Sequence, residues 1–187
     1  MLEHIAFILS VLACISSLIL LAIATVELLN PSFKFWPPPK DEPWKKTLFM
    51  TLFRIVVYGL VIASIIYLWT YGLQSSTSVN ILAMILLLCG FIIAFYATGA
   101  LGWANAFGSK EGLRTDGIFA YSRNPIYVAT WFGLAGWALL VPVASITVTL
   151  CLWALLYVVA IFLEERWLLK EYGKPFSEFC HTVRRFF

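Results

Sequence analysis

The apolar residues of this chain come in runs too long for a water-soluble core. Residues 5–29, 48–73 and 79–103 each reach the roughly 20 residues that a helix needs to cross a bilayer, and residues 126–163 are apolar throughout. In hydrocarbon every backbone polar group must be satisfied internally, so such runs fold as helices. The last run is too long for one crossing, and Val141-Pro142 divides it into the two arms of a helical hairpin. The predicted fold is all-α and integral to the membrane, with about five transmembrane helices, the C-terminal hairpin and an amphipathic tail. We expect a single transmembrane domain over residues 1–187. Its first three spans occupy 1–103, and a polar loop, the hairpin and the tail occupy 104–187.

The positions of the charges test this count. Only 12% of the 187 residues are charged, about half the share usual in soluble domains. Lys34, Lys40, Lys45 and Lys46 follow the first span, and Lys110, Arg114 and Arg123 follow the third. Arg166, Lys170, Lys174, Arg184 and Arg185 follow the fifth, whereas the second-to-third and fourth-to-fifth connections carry no Lys or Arg. Arg54 lies near the start of the second span, on the same side. All 13 basic residues therefore share one face, which the positive-inside rule makes cytoplasmic. Five crossings satisfy the pattern, with the N-terminus outside or lumenal and the C-terminus cytoplasmic. The net charge of +3 is explained by topology, and no dense basic run suggests a nucleic-acid partner.

Other features fit the same frame. Ala22-Ile23-Ala24 resembles a signal-peptide cleavage site, but no Lys or Arg precedes it and the run is long, so we expect a retained helix. Trp36 and Trp44 read as interfacial anchors around a loop stiffened by Pro37-Pro38-Pro39 and Pro43. Beyond Glu164 the last helix can continue to Tyr172, with Gly173 as its cap and Pro175 as a stop. Trp167, Leu168, Leu169, Phe176, Phe179 and Phe187 would then lie along the membrane interface. Cys14, Cys89, Cys151 and Cys180 are scattered, suggesting packing rather than a metal site or disulfides. Arg54 is expected to snorkel to the interface, and Glu27 is near enough in depth to pair with it.

Two features could carry chemistry. Residues 112–127, GLRTDGIFAYSRNPIY, form the long polar segment on the charged face. Gly117 supplies a flexible turn, Phe119 and Tyr121 offer aromatic surfaces, and Arg123 brings a planar cation. Asn124-Pro125 opens the fourth span with Pro at its first position, and the free amides of that helix start can face an anion. The plainer reading is a polar loop with an interfacial arginine. The second feature is Glu164-Glu165, where the fifth span ends. Neighbours on a helix point about 100° apart, so the two acids should do different work.

Helix geometry joins these features. Nineteen residues separate Arg123 from Pro142 and 22 separate Pro142 from Glu164. At ~1.5 Å per residue the arms return by ~29 and ~33 Å, which brings the arginine and the acids to one depth. Ala129, Gly133 and Gly136 share a helix face, and we expect them to let the hairpin arms pack closely. A guanidinium and two carboxylates at one end of a hairpin could hold a zwitterion.

The strings YSRNPIY and EERWLLKEYGKPFSEF, separated by an apolar hairpin, resemble the integral membrane methyltransferases. That superfamily includes the isoprenylcysteine carboxyl methyltransferases and the phospholipid N-methyltransferases. Its pattern is Arg-His-Pro-x-Tyr, an apolar stretch, then Glu-Glu and a Gly followed by aromatics. The likeness covers roughly the last 75 residues. It implies an enzyme with an S-adenosylmethionine pocket between loop, hairpin and tail, and no metal. Arg123, Asn124, Pro125, Tyr127, Glu164 and Glu165 would be cofactor-site residues, with Gly117, Phe119 and Tyr121 beside them. Arg123 could pair with the methionine carboxylate, a Glu could accept from the ammonium or ribose hydroxyls, and Phe119 and Tyr121 could stack on adenine. Arg123 and Glu165 are the candidate catalytic residues, with Glu165 or a tyrosine as base for an amine acceptor.

Asn124 departs from the family pattern, because it stands where His is usual. An amide positions but does not titrate near neutrality, and neither His4 nor His181 adjoins the motif. The expected activity is methyl transfer to a lipophilic acceptor, a phospholipid amine or a prenylcysteine carboxylate, drawn from the bilayer. One alternative is an NADPH-dependent reductase of the sterol-reductase type, but no G-x-G-x-x-G fingerprint follows a strand. The other is a non-catalytic membrane scaffold.

Overall fold

The structure, a computed structural model, describes residues 1–37, 42–106 and 112–186. Lys40, Lys110 and Phe187, placed above on the charged face or interface, lie outside the described residues. Helix α1 spans Leu2–Leu29, α2 Pro43–Tyr71 and α3 Thr77–Leu101. A short α4, Trp103–Ala106, and a 3-10 turn, Gly117–Ala120, precede α5 at Pro125–Leu140, α6 at Ala144–Tyr172 and α7 at Lys174–Thr182. No strand occurs among the described residues. The chain is an all-α, multi-pass membrane protein.

Four helices, α1, α2, α3 and α6, are long and apolar enough to cross a membrane, and α5 is a shorter apolar helix of 16 residues. At ~1.5 Å per residue α5 rises about 24 Å, short of the roughly 30 Å hydrocarbon layer. The hairpin turns where Val141-Pro142 foretold, between Leu140 and Ala144. The other breaks are also chemical. Pro43 and Pro125 sit in the first turns of α2 and α5, where a missing N–H costs nothing. Gly173, at φ 56°, ends α6 by donating its N–H to Leu169 O (3.0 Å). Pro175 does more than stop that helix, because it occupies the first turn of α7.

Small residues determine which helices meet. A Cβ on Gly90 would lie 2.3 Å from Gly133 N, and one on Gly136 2.4 Å from Leu87 N. The Ala129, Gly133 and Gly136 face of α5 is therefore seated on α3 and not on α6, correcting the expected close packing of the hairpin arms. Close backbone approach needs small residues on both partners. α3 offers Ala83 and Gly90, whereas α6 buries Trp153 and Leu156. The hairpin arms meet through a larger side chain, Trp131, whose Nε1 donates to Ala154 O (3.2 Å). On the other side α1 packs against α2 and α6, with Gly59 of α2 against Leu9 and Ala13.

The charged connections share one end of the bundle. Arg166 of α6 donates to Leu28 O at the end of α1 (3.0 Å), and Lys45 of α2 donates to Lys34 O (2.7 Å). At the far end Ser10 of α1 meets Ser145 of α6, Oγ to Oγ, at 2.8 Å. Arg54 is exposed, as a snorkelling side chain would be. Glu27 instead accepts from Trp36 N (3.0 Å). The tail also departs from expectation. Phe176 and Phe179 are buried under α7 against Phe119, and Trp167 and Leu168 line a partly open cavity. The amphipathic face of α7 finds apolar protein surface before it needs lipid.

Candidate active site at the charged end

The loop before α5 is drawn inward by Phe119, which the 3-10 turn buries against α7. Four residues on, Arg123 is nearly buried, with its side chain 10% exposed. Its Nε and Nη2 both approach Glu165 Oε1 at 3.2 Å, and Nη1 donates to Cys180 O (3.0 Å) and Val183 O (3.1 Å). Glu165 is equally engaged. Its Oε1 also accepts from Asn124 Nδ2 (3.1 Å), and its Oε2 takes Arg185 Nε (3.0 Å) and Nη2 (2.8 Å). Asn124 caps the start of α5 by backbone alone, because its side-chain amide is spent on Glu165 and Arg185 O. Three residues of the signature are thus locked together around the tail.

Glu164 faces a different way, as the helical offset requires. The Tyr127 and Trp36 side chains approach it as hydrogen-bond donors. Tyr127 stands edge-on to Tyr157 at 4.8 Å, and Tyr157 edge-on to Trp153 at 6.0 Å, so an aromatic wall runs from the acid toward the bilayer core. Trp36 ties two carboxylates together, with its side chain toward Glu164 and its backbone N–H on Glu27. Glu27 is 7% exposed.

These groups border one cavity of about 300 Å³, at the lower end of the range for small-molecule sites. Its charged lining is Glu27, Glu164, Glu165, Arg114 and Arg123, and its apolar depth is formed by residues such as Leu20, Phe53 and Leu156. Of the residues expected from sequence, Phe119, Arg123, Asn124, Pro125, Tyr127, Glu164 and Glu165 line the cavity. Gly117 and Tyr121 are not among its lining residues, and Tyr121 is 82% exposed. The Tyr172 hydroxyl is buried without a partner among the described residues, and Tyr172 lines the same space.

The model of the phospholipid methyltransferase family matches residues 78–175, 98 of the 187 residues. The chain belongs to the phospholipid methyltransferase family. Comparison with curated proteins and with solved structures gives no match. The family match begins in the first turn of α3 and ends at the start of α7, so it contains Asn124, Tyr127, Glu164 and Glu165. It leaves out α1, α2 and the tail beyond Pro175.

Sequence reasoning therefore missed the part of the cavity wall that α1, α2 and the loop between them supply. Glu27, Trp36, Phe49 and Phe53 come from outside the match, and Arg185 reaches the cluster from the tail. Glu27 carried a signal, being the sole charged residue within the apolar run 5–29, and an ionisable group in such a run is functional by default. Arg185 carried none, because it reads as one more interfacial cation.

Proposed function

We propose that this phospholipid methyltransferase family member transfers a methyl group from S-adenosylmethionine to the amine of a phospholipid headgroup. The observation that carries the reading is the amphipathic cavity in which family residues Asn124, Tyr127 and Glu164 face the apolar side chains of α1 and α2. The residues present suit the cofactor. Glu164 offers an acceptor for an ammonium or ribose hydroxyls, and exposed Arg114 offers a partner for a carboxylate. The unpartnered Tyr172 hydroxyl offers one more hydrogen bond, and the Tyr127 and Tyr157 rings favour a cationic sulfur.

Bound there, S-adenosylmethionine supplies a methyl group already activated by its sulfonium leaving group. What this chain must add is alignment and exclusion of water. An amine must shed a proton before it attacks. Glu165 is held by two guanidinium groups and is poorly suited to take that proton, so Glu164 and Glu27 are the carboxylates placed to receive it. With Glu165 taken up by Arg123 and Arg185, Glu27 and Glu164 against one exposed arginine, Arg114, favour an amine over a prenylcysteine carboxylate and disfavour the extra phosphate of NADPH. With the charged end in the cytoplasm, the cofactor enters from water and the lipid from the bilayer beside α1 and α2.

Calorimetry on detergent-solubilised protein tests the cofactor, with S-adenosylhomocysteine expected to bind. Binding of NADPH with no binding of S-adenosylhomocysteine overturns the reading. Transfer of labelled methyl to vesicles containing an amine-headgroup phospholipid tests the acceptor, and transfer only to prenylcysteine carboxylates would displace it.

A further inference from the structure

The geometry points to a latch. Arg123, Glu165 and Arg185 fasten residues 180–186 across the base of the hairpin, and so hold the α7 wall of the cavity in place. The tail segment crosses back over the start of α5 and is tied at every step. Arg123 N donates to Arg184 O (3.0 Å), Asn124 Nδ2 to Arg185 O (3.2 Å), and Arg123 Nη1 to Cys180 O and Val183 O. The Phe186 ring packs on Trp131 at 5.6 Å, and the Arg185 guanidinium lies over the Phe162 ring at 4.8 Å.

The residues fastened are not the residues that line the cavity. Arg185, Phe186, Cys180 and Val183 do not border it, whereas Phe176 and Phe179, one turn back on α7, do. Carbonyls of the end of α7 and of the residue that follows it are the acceptors for Arg123. Releasing them frees α7 to pivot at Gly173, whose φ of 56° already marks a sharp bend. The Glu165 carboxylate bridges the two guanidinium groups and offsets part of the charge of both, while Arg123 alone also holds backbone oxygens of the tail. Arg185 and Glu165 are on this reading positioning residues. They act on cofactor affinity through the place of Phe176 and Phe179, with no need to touch the cofactor.

This inference rests on the cavity being the cofactor site, and the experiment separates the two. Wild-type protein and the variants Arg185→Ala, Arg185→Lys and Phe186→Ala are compared by S-adenosylhomocysteine calorimetry, by KM for cofactor and lipid, and by alkylation of Cys180 with a water-soluble maleimide. Partial burial raises the pKa of the Cys180 thiol, so its alkylation is expected to quicken when the tail is released. Arg185→Ala should weaken S-adenosylhomocysteine binding and raise cofactor KM roughly tenfold or more, the scale of a misplaced contact wall. KM for lipid should hold and Cys180 labelling should quicken. Phe186→Ala should follow in the same direction and Arg185→Lys should restore most of the loss. If wild-type protein binds S-adenosylhomocysteine and Arg185→Ala binds it equally well, the latch is overturned while the proposed function stands. If wild-type protein binds none, that function falls and the positioning role with it.

Discussion

Glu164 and Glu165 are adjacent in sequence and differ in everything that matters chemically. Glu165 is held between Arg123 and Arg185, so replacing it leaves two guanidinium groups facing each other without an anion. Removing one partner of a mostly buried ion pair typically costs ~3–5 kcal/mol. Glu165→Gln should therefore lower the melting temperature measurably in detergent, and a melting curve equal to wild type would remove the structural role assigned to it. Glu164 takes its hydrogen bonds from Tyr127 and Trp36, which are neutral donors. Glu164→Gln should leave stability close to wild type and weaken S-adenosylhomocysteine binding by ~10–100-fold, the value of a charged hydrogen bond of ~1.5–3 kcal/mol. Calorimetry distinguishes the two variants directly. Glu27→Gln keeps an acceptor for Trp36 N and loses only charge. It should raise KM for the lipid amine with cofactor affinity unchanged, whereas a carboxylate that merely anchors the 33–37 loop would show neither effect.

Among the elements, the pairing of α3 with α5 is the most sensitive to sequence change. Their backbones approach so closely at Gly90 and Gly136 that an added methyl meets main-chain atoms, which cannot rotate away. Gly136→Ala should cost about 1–3 kcal/mol, the usual penalty for overpacking. A methyl added at Gly99, on the same α3, would meet nothing within 4 Å, so Gly99→Ala should be neutral or slightly stabilising. Thermal melts of the two variants in one detergent check the contrast. This pairing was only half legible. The spacing of Ala129, Gly133 and Gly136 announced a close contact, and the nearest neighbour in sequence suggested α6 as the partner. Helix pairing follows complementary relief, and the small residues of the complementary face lie on α3.

For the whole molecule, the distribution of Lys and Arg yields a topology that labelling can test. A cysteine introduced at Ser75, between α2 and α3, should react with an impermeant maleimide from the side opposite to Cys180 and to a cysteine at Thr115. Labelling of all three from one side would overturn the proposed orientation. The number of long apolar helices was readable because transfer into hydrocarbon is a sum over local residues. The site was readable as far as one end of one hairpin, because helical rise fixes depth along the bundle axis. Its far wall was not readable, since depth says nothing about which of several helices stands opposite.

The sequence by itself determined the long apolar runs, their breaks at Pro125, Pro142 and Gly173, and the gathering of Lys and Arg at one end. Each of these follows from properties of a few neighbouring residues. Only the tertiary structure decided that Arg123 pairs with Glu165, that Arg185 completes the cluster, and that Glu27 and Trp36 line one cavity with Glu164. Those partners are 20 to more than 130 residues apart in the chain. What brings them together is the close seating of α3 on α5 at Gly90 and Gly133 and the bend at Gly173, and the strength of each charge depends on the neighbours that this arrangement supplies.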